Sequence, residues 1–63
     1  MSMNSEQWKE YRVIEATAEA HERDARSEMD QGKPRDAKVY ATLAVSARLE
    51  ALSYAIRYGG GEP

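Results

Sequence analysis

One short break divides this chain into two long segments. Gly32 and Pro34, in DQGKP, are the only glycine and proline between residues 3 and 58. Good helix formers fill both flanking segments, and neither shows the alternation of a β-strand. We therefore predict that residues 1–58 form one all-α domain with helices at about 4–30 and 34–58. Because the connection between them is so short, the two helices must lie side by side as an antiparallel two-helix hairpin. Residues 59–63 (GGGEP) are expected to form a flexible glycine-rich tail.

The ends of the predicted helices carry recognisable signals. Asn4 suits the N-cap of the first helix, and Gln7, three residues later, completes the pattern of a capping box. Gly32 suits the left-handed residue that closes many helices. Pro34 suits the first position of the next helix, where its missing N–H is not needed. These residues place the start of the first helix and both sides of the turn.

Each segment has an apolar stripe with helical spacing. In the first helix the stripe consists of Tyr11, Ile14, Ala18, His21 and Ala25, and in the second of Ala37, Tyr40, Leu43, Ala44, Ala47, Ala51, Tyr54 and Tyr58. Folding the hairpin about Gly32 and Lys33 sets small residues opposite each other, as with Ala18 and Ala47. It also brings together the aromatic residues at the open end, which are Trp8, Tyr11, Tyr54 and Tyr58. Because the stripes are complementary, we expect them to pack together.

A second apolar stripe of the second helix points away from the first helix. We call it the outer stripe, and it consists of Ala41, Val45, Leu49, Leu52 and Ile56. Its spacing is that of coiled-coil core positions. A chain below roughly 70–80 residues seldom stabilises itself with one core, and without cysteine it has no disulfide to help. We therefore predict that the outer stripe is an interface and that the hairpin forms a homodimeric four-helix bundle, with another protein as the alternative partner.

The residues that carry chemistry in other proteins are isolated here. His21 is the only histidine, so a His-Glu-x-x-His zinc motif is excluded, and we interpret it as a core residue. The acidic residues are spaced for pairing along a helix surface, as Glu22 is with Arg26. Ser46 has no histidine or lysine nearby that would activate it. We expect no catalytic residue, no metal ligand and no cofactor, and hence no enzyme.

Two groups of residues leave a binding role open. Lys33, Arg35 and Lys38 cluster at the turn and are candidates for contact with an anion or a nucleic acid. The aromatic residues at the open end are either core or binding surface. A formal net charge of −2 gives no long-range attraction to nucleic acid or to a membrane. With no secretory signal and no apolar run of about 18 residues, we expect a cytoplasmic protein without a membrane partner.

Two resemblances bear on the function. In length and topology the predicted architecture resembles the ROP family of plasmid RNA-binding regulators, which are dimers of helical hairpins; no RNA-contacting residue is carried over. The segment SARLEAL, Ser46 to Leu52, is similar to the Ser-x-x-x-Glu-Gly inhibitory helix of antitoxins that block Fic-type AMP-transferases. That similarity implies that Glu50 holds an arginine of the target enzyme, but Ala51 stands where that family has glycine.

The patterns favour a small non-enzymatic protein that self-associates and acts as a protein–protein interaction or regulatory module, of bacterial, plasmid or phage origin. The alternatives are a nucleic-acid-binding regulator with ROP-like architecture and an antitoxin-like inhibitor that binds a partner enzyme through the second helix.

Overall fold

The computed structural model describes residues 3–59 and shows two helices joined by a tight turn. Helix α1 spans Ser5–Asp30 and helix α2 spans Pro34–Tyr58. They pack against each other in an elongated hairpin with extents of 45 × 18 × 14 Å. The predicted all-α hairpin and its helix boundaries are therefore confirmed. Of the expected tail, Gly59 is the C-cap of α2 and donates its N–H to the carbonyl of Ala55, whereas residues 60–63 lie outside the described residues.

The first turn of α1 is fixed by the predicted capping box. The Asn4 side-chain oxygen accepts a hydrogen bond from the Gln7 N–H at 2.8 Å, and Gln7 Oε1 accepts one from the Asn4 N–H at 3.0 Å. Both N–H groups belong to the set that a helix start leaves without intrahelical partners. Glu6 lies in the same turn, at the positive end of the helix dipole. The start of α1 is thus set by its own sequence neighbours.

Gly32 closes α1 and reverses the chain. Its φ of +74° lies in the left-handed region that favours glycine. The Gly32 N–H donates to the carbonyl of Met29 at 3.0 Å, and the Lys33 N–H donates to that of Glu28 at 2.9 Å, which together form a Schellman motif. Helix α2 then begins at once with Pro34. The connection is so short that α2 runs back antiparallel along α1.

The interior of the hairpin consists mostly of small side chains. Among the described residues, Ile14 is the one large aliphatic side chain that is buried. The other buried positions are all alanines: Ala18, Ala37, Ala44, Ala47 and Ala51. Alanines let two helices approach closely, but each one removes little apolar area from water. The hairpin therefore has a close helix contact and a small hydrophobic core.

Apart from the aromatic end, where Tyr58 is exposed, the structure corrects one residue of the predicted facing stripes. Leu43 was expected to face α1, but its side chain is 42% exposed, so that prediction is wrong. The reason is the rotation of α2 about its axis. Ala44 and Ala47 are turned toward α1, and a neighbouring position along the chain lies about 100° around the helix. Close approach of the backbones thus takes precedence over burial of the larger leucine.

Candidate interaction face

The outer stripe lies on the surface of the hairpin, as predicted. Its four larger side chains are exposed to nearly the same degree: Val45 59%, Leu49 58%, Leu52 57% and Ile56 62%. Ala41, the fifth member, is exposed as well. Residues three or four apart share one side of a helix, so these side chains form one continuous face. The large aliphatic residues of α2 thus face solvent while its alanines face α1.

A shallow groove between the helices extends this face toward α1. Its apolar lining includes residues of both helices: Ala25, Met29, Ala41, Val45, Leu49 and Leu52. Its charged lining consists of Glu22, Arg26, Lys38 and Arg48. Met29 is mostly exposed, so it adds apolar surface at the turn end. An apolar centre with a polar rim is the usual composition of a protein–protein interface.

An ion pair that the sequence pattern did not predict joins the two helices beside the groove. Arg48 donates from Nε to Glu22 Oε2 at 3.0 Å and from Nη2 to Glu22 Oε1 at 2.9 Å. The hydrogen bond from Arg48 lowers the pKa of Glu22, and the same bond raises the pKa of Arg48. The i, i+4 spacing in the sequence predicts that Glu22 pairs with Arg26, but in the structure Arg26 contributes only electrostatic attraction to Glu22. The hydrogen-bonded partner of Glu22 is instead Arg48 of α2, and this ion pair links the two helices on the side of the groove.

The aromatic residues at the open end are partly core and partly surface. Ring pairs run along each helix: Trp8 and Tyr11 are T-shaped with centroids 5.8 Å apart, and Tyr54 and Tyr58 are tilted at 4.6 Å. Trp8 and Tyr58 are exposed, whereas Tyr11 and Tyr54 are half-buried. Partial burial raises the pKa of Tyr11 and of Tyr54, and the Glu15 carboxylate adds to the shift at Tyr11. Tyr11 and Tyr54 are therefore partly packed at the open end of the hairpin, whereas the rings of Trp8 and Tyr58 are accessible to solvent.

The basic cluster at the turn is fully on the surface. Lys33, Arg35 and Lys38 are all exposed. Arg35 and Lys38 also line a second, smaller hollow on α2 together with Val39, Thr42 and Leu43. Asp30 and Asp36 are exposed near the same turn and reduce its positive charge. The structure thus leaves all three bases exposed near the turn, with Arg35 and Lys38 lining one hollow, and their use by a nucleic acid stays a prediction.

The remaining candidate residues do not assemble into a chemical site. His21 is half-buried, and its Nδ1 atom is buried without a hydrogen-bond partner among the described residues. Within residues 3–59 no three histidine, aspartate or glutamate side chains are grouped as a metal site requires. Ser46 and Glu50 are exposed on α2. The antitoxin-like role of Glu50 stays a prediction.

No family model matches the chain, and no curated protein or solved structure is significantly similar to it. Neither α1 nor α2 is long and apolar enough to cross a membrane. A functional proposal for this protein therefore rests on its own surface, and above all on the outer stripe.

Proposed function

We propose that this protein is a small non-enzymatic interaction module that works as a homodimer, with the outer stripe as the interface between the two copies. One observation carries the proposal: the large aliphatic side chains of α2 lie on the surface while alanines fill the core. A hairpin that works as a single chain is expected to show the reverse arrangement, because burial of large apolar side chains is the main source of stability.

The gross burial energy of the outer stripe is of the same order as the cost of joining two copies. Fully burying a Val, Leu or Ile side chain yields about 1.5–3 kcal/mol. The four larger members of the stripe are between 57% and 62% exposed. A dimer contains eight of these side chains, so about 7–14 kcal/mol of gross burial energy is available to it. Association costs about 4–15 kcal/mol in lost motion and ordering. We therefore expect a dimer whose population depends on protein concentration.

A second copy of the chain suits this face in spacing and in charge. A stripe with coiled-coil spacing pairs with a helix of the same spacing. Arg48 is already paired with Glu22 of its own chain, so a second stripe docked beside it leaves no unpaired charge in the middle of the groove. The formal net charge of −2 keeps repulsion between copies weak. A four-helix bundle with twofold symmetry is the simplest closed arrangement.

Molecular mass measured on two double variants tests this proposal. Leu49→Asp/Leu52→Asp places two carboxylates in the stripe, and we expect it to halve the mass observed by size exclusion with light scattering. Val39→Asp/Leu43→Asp likewise introduces two carboxylates on the same helix but outside the stripe, where the replaced side chains are 57% and 42% exposed, and should keep the dimer. Far-UV circular dichroism follows the helix content of both. A wild-type chain that is a folded monomer contradicts the proposal and makes the stripe a docking site for a different protein.

A second candidate function is nucleic-acid binding at the turn. The observation that favours it is the joint exposure of Lys33, Arg35 and Lys38 beside the N-terminus of α2, where a phosphate group is attracted. We expect retention on RNA that falls steeply with salt and is lost in Lys33→Glu/Lys38→Glu. Retention that is absent in the wild type, or unchanged in the variant, argues against this second function and leaves the interaction module as it stands.

A further inference from the structure

We infer that two copies pair their α2 helices antiparallel, with Leu49 close to the twofold axis. This inference rests on the proposed self-association through the outer stripe and adds the orientation of the partner. Three features of the chain support it: the order of side-chain sizes along the stripe, the charges at the turn end of the groove, and the direction of the helix dipole.

The outer stripe runs from small to large side chains along α2. Ala41, nearest the turn, is the smallest member, and Val45 follows it. The larger residues are toward the open end and finish with Ile56. In an antiparallel pair centred between residues 48 and 49, Ala41 lies opposite Ile56 of the second copy, and Val45 lies opposite Leu52. The outer layers then each join a smaller and a larger side chain, and Leu49 meets Leu49 of the second copy at the axis, so the distance between the two helices stays nearly constant.

A parallel pair lacks this match of sizes. Ala41 would meet Ala41 of the second copy, and Ile56 would meet Ile56. Because the side chains at the contact set the distance between two helices, that distance would have to grow from the turn end to the open end. The seam would then either leave gaps beside Ala41 or crowd the side chains at Ile56, and both are unfavourable in a close-packed interior.

The charges at the turn end favour the same orientation. Arg26 and Lys38 line the groove there, whereas Arg48, farther along α2, is paired with Glu22. A parallel pair would bring two copies of Arg26 and Lys38 together at one end. An antiparallel pair separates the two copies of Lys38 by about 30 Å along the helix axis, which exceeds the Debye length of about 8 Å at physiological salt. It also sets the positive end of each α2 dipole beside the negative end of the other.

Disulfide cross-linking reports this orientation directly. The chain contains no cysteine, so introduced thiols are the only ones present. Ala41→Cys and Ile56→Cys are mixed in the reduced state and oxidised, and the linked species are counted by mass spectrometry. Since a disulfide needs its two Cα atoms within about 7 Å, we expect the mixed 41–56 product to exceed either self-linked product by at least ~10-fold. Ser46→Cys, exposed on α2 outside the stripe, gives the rate of random collisions.

The outcomes separate the inference from the proposed function. Dominant self-linked products of Ala41→Cys and of Ile56→Cys would show a parallel dimer, which overturns the orientation and leaves self-association intact. Linkage no faster than that of Ser46→Cys, together with a monomeric mass of the wild-type chain, overturns both. Val45→Cys and Leu52→Cys form a second pair, for which an antiparallel dimer likewise predicts that the mixed 45–52 product exceeds the self-linked products. Light scattering under reducing conditions shows which variants still dimerise, and only those are scored.

Discussion

Replacing Leu49 by alanine tests how much the outer stripe contributes to association. Leu49 is 58% exposed in the hairpin, so burying its exposed part in a dimer is worth about 0.9–1.7 kcal/mol per copy. A twofold dimer contains the residue twice, and the Leu49→Ala variant should therefore lose about 1.5–3.5 kcal/mol of association free energy. That loss raises the dissociation constant about 10- to 300-fold. Sedimentation equilibrium over a range of concentrations measures the dissociation constant of the variant and of the wild type.

Leu43→Ala is the matched control for this measurement. It removes the same atoms from the same helix, and Leu43 is also exposed, at 42%, but it lies outside the stripe. We expect its dissociation constant to stay within about threefold of the wild-type value, as for an ordinary surface substitution. If Leu49→Ala left the dissociation constant unchanged, or if Leu43→Ala weakened the dimer equally, the inference that the exposed outer stripe is the dimer interface would be refuted.

Three further predictions concern the hairpin itself. Gly32→Ala should lower the free energy of unfolding in urea by about 1 kcal/mol, because the backbone of Gly32 is left-handed, although an added Cβ would meet only open space. Gly32→Asn should lower it by less, because asparagine tolerates the left-handed conformation. Equal losses in the two variants would contradict this explanation. Arg48 lowers the pKa of Glu22 in the folded state, so the ion pair stabilises the hairpin above the ordinary pKa of 4.5, and this stabilisation is lost as the pH falls through the lower folded pKa. The melting temperature of Glu22→Gln should therefore fall less at acid pH than that of the wild type. An identical fall in both proteins would rule out the ion pair as the cause. His21→Leu should raise the free energy of unfolding in urea by about 1 kcal/mol, since it removes a buried nitrogen without a hydrogen-bond partner; a large loss would show that the imidazole has a partner in solution.

The helix boundaries were predictable because they depend on neighbours in the sequence. Asn4 and Gln7 satisfy each other across one helical turn, and Gly32 supplies the left-handed residue that its own turn requires. Pro34 can begin a helix but not continue one. Each signal acts over a few residues, so it needs no knowledge of how the two helices pack.

The rotation of α2 was harder to predict, because apolar residues cover much of its circumference. Periodicity correctly placed Ala47 toward α1 and Leu49 toward solvent. It failed at Leu43, since the size of a leucine suggests burial while the close approach of the helices favours Ala44. The pair between Glu22 and Arg48 depends on the same rotation and on the register of the two helices, so no local pattern indicated it.

Absolute mass in solution tests the central claim most directly. One chain has a mass of 7.1 kDa. Static light scattering of the unmodified protein over a range of concentrations should give a mass that rises with concentration and levels off at twice that value. A mass of one chain at every concentration, with the helical circular dichroism signal intact, would contradict the claim that the outer stripe joins two copies of this protein.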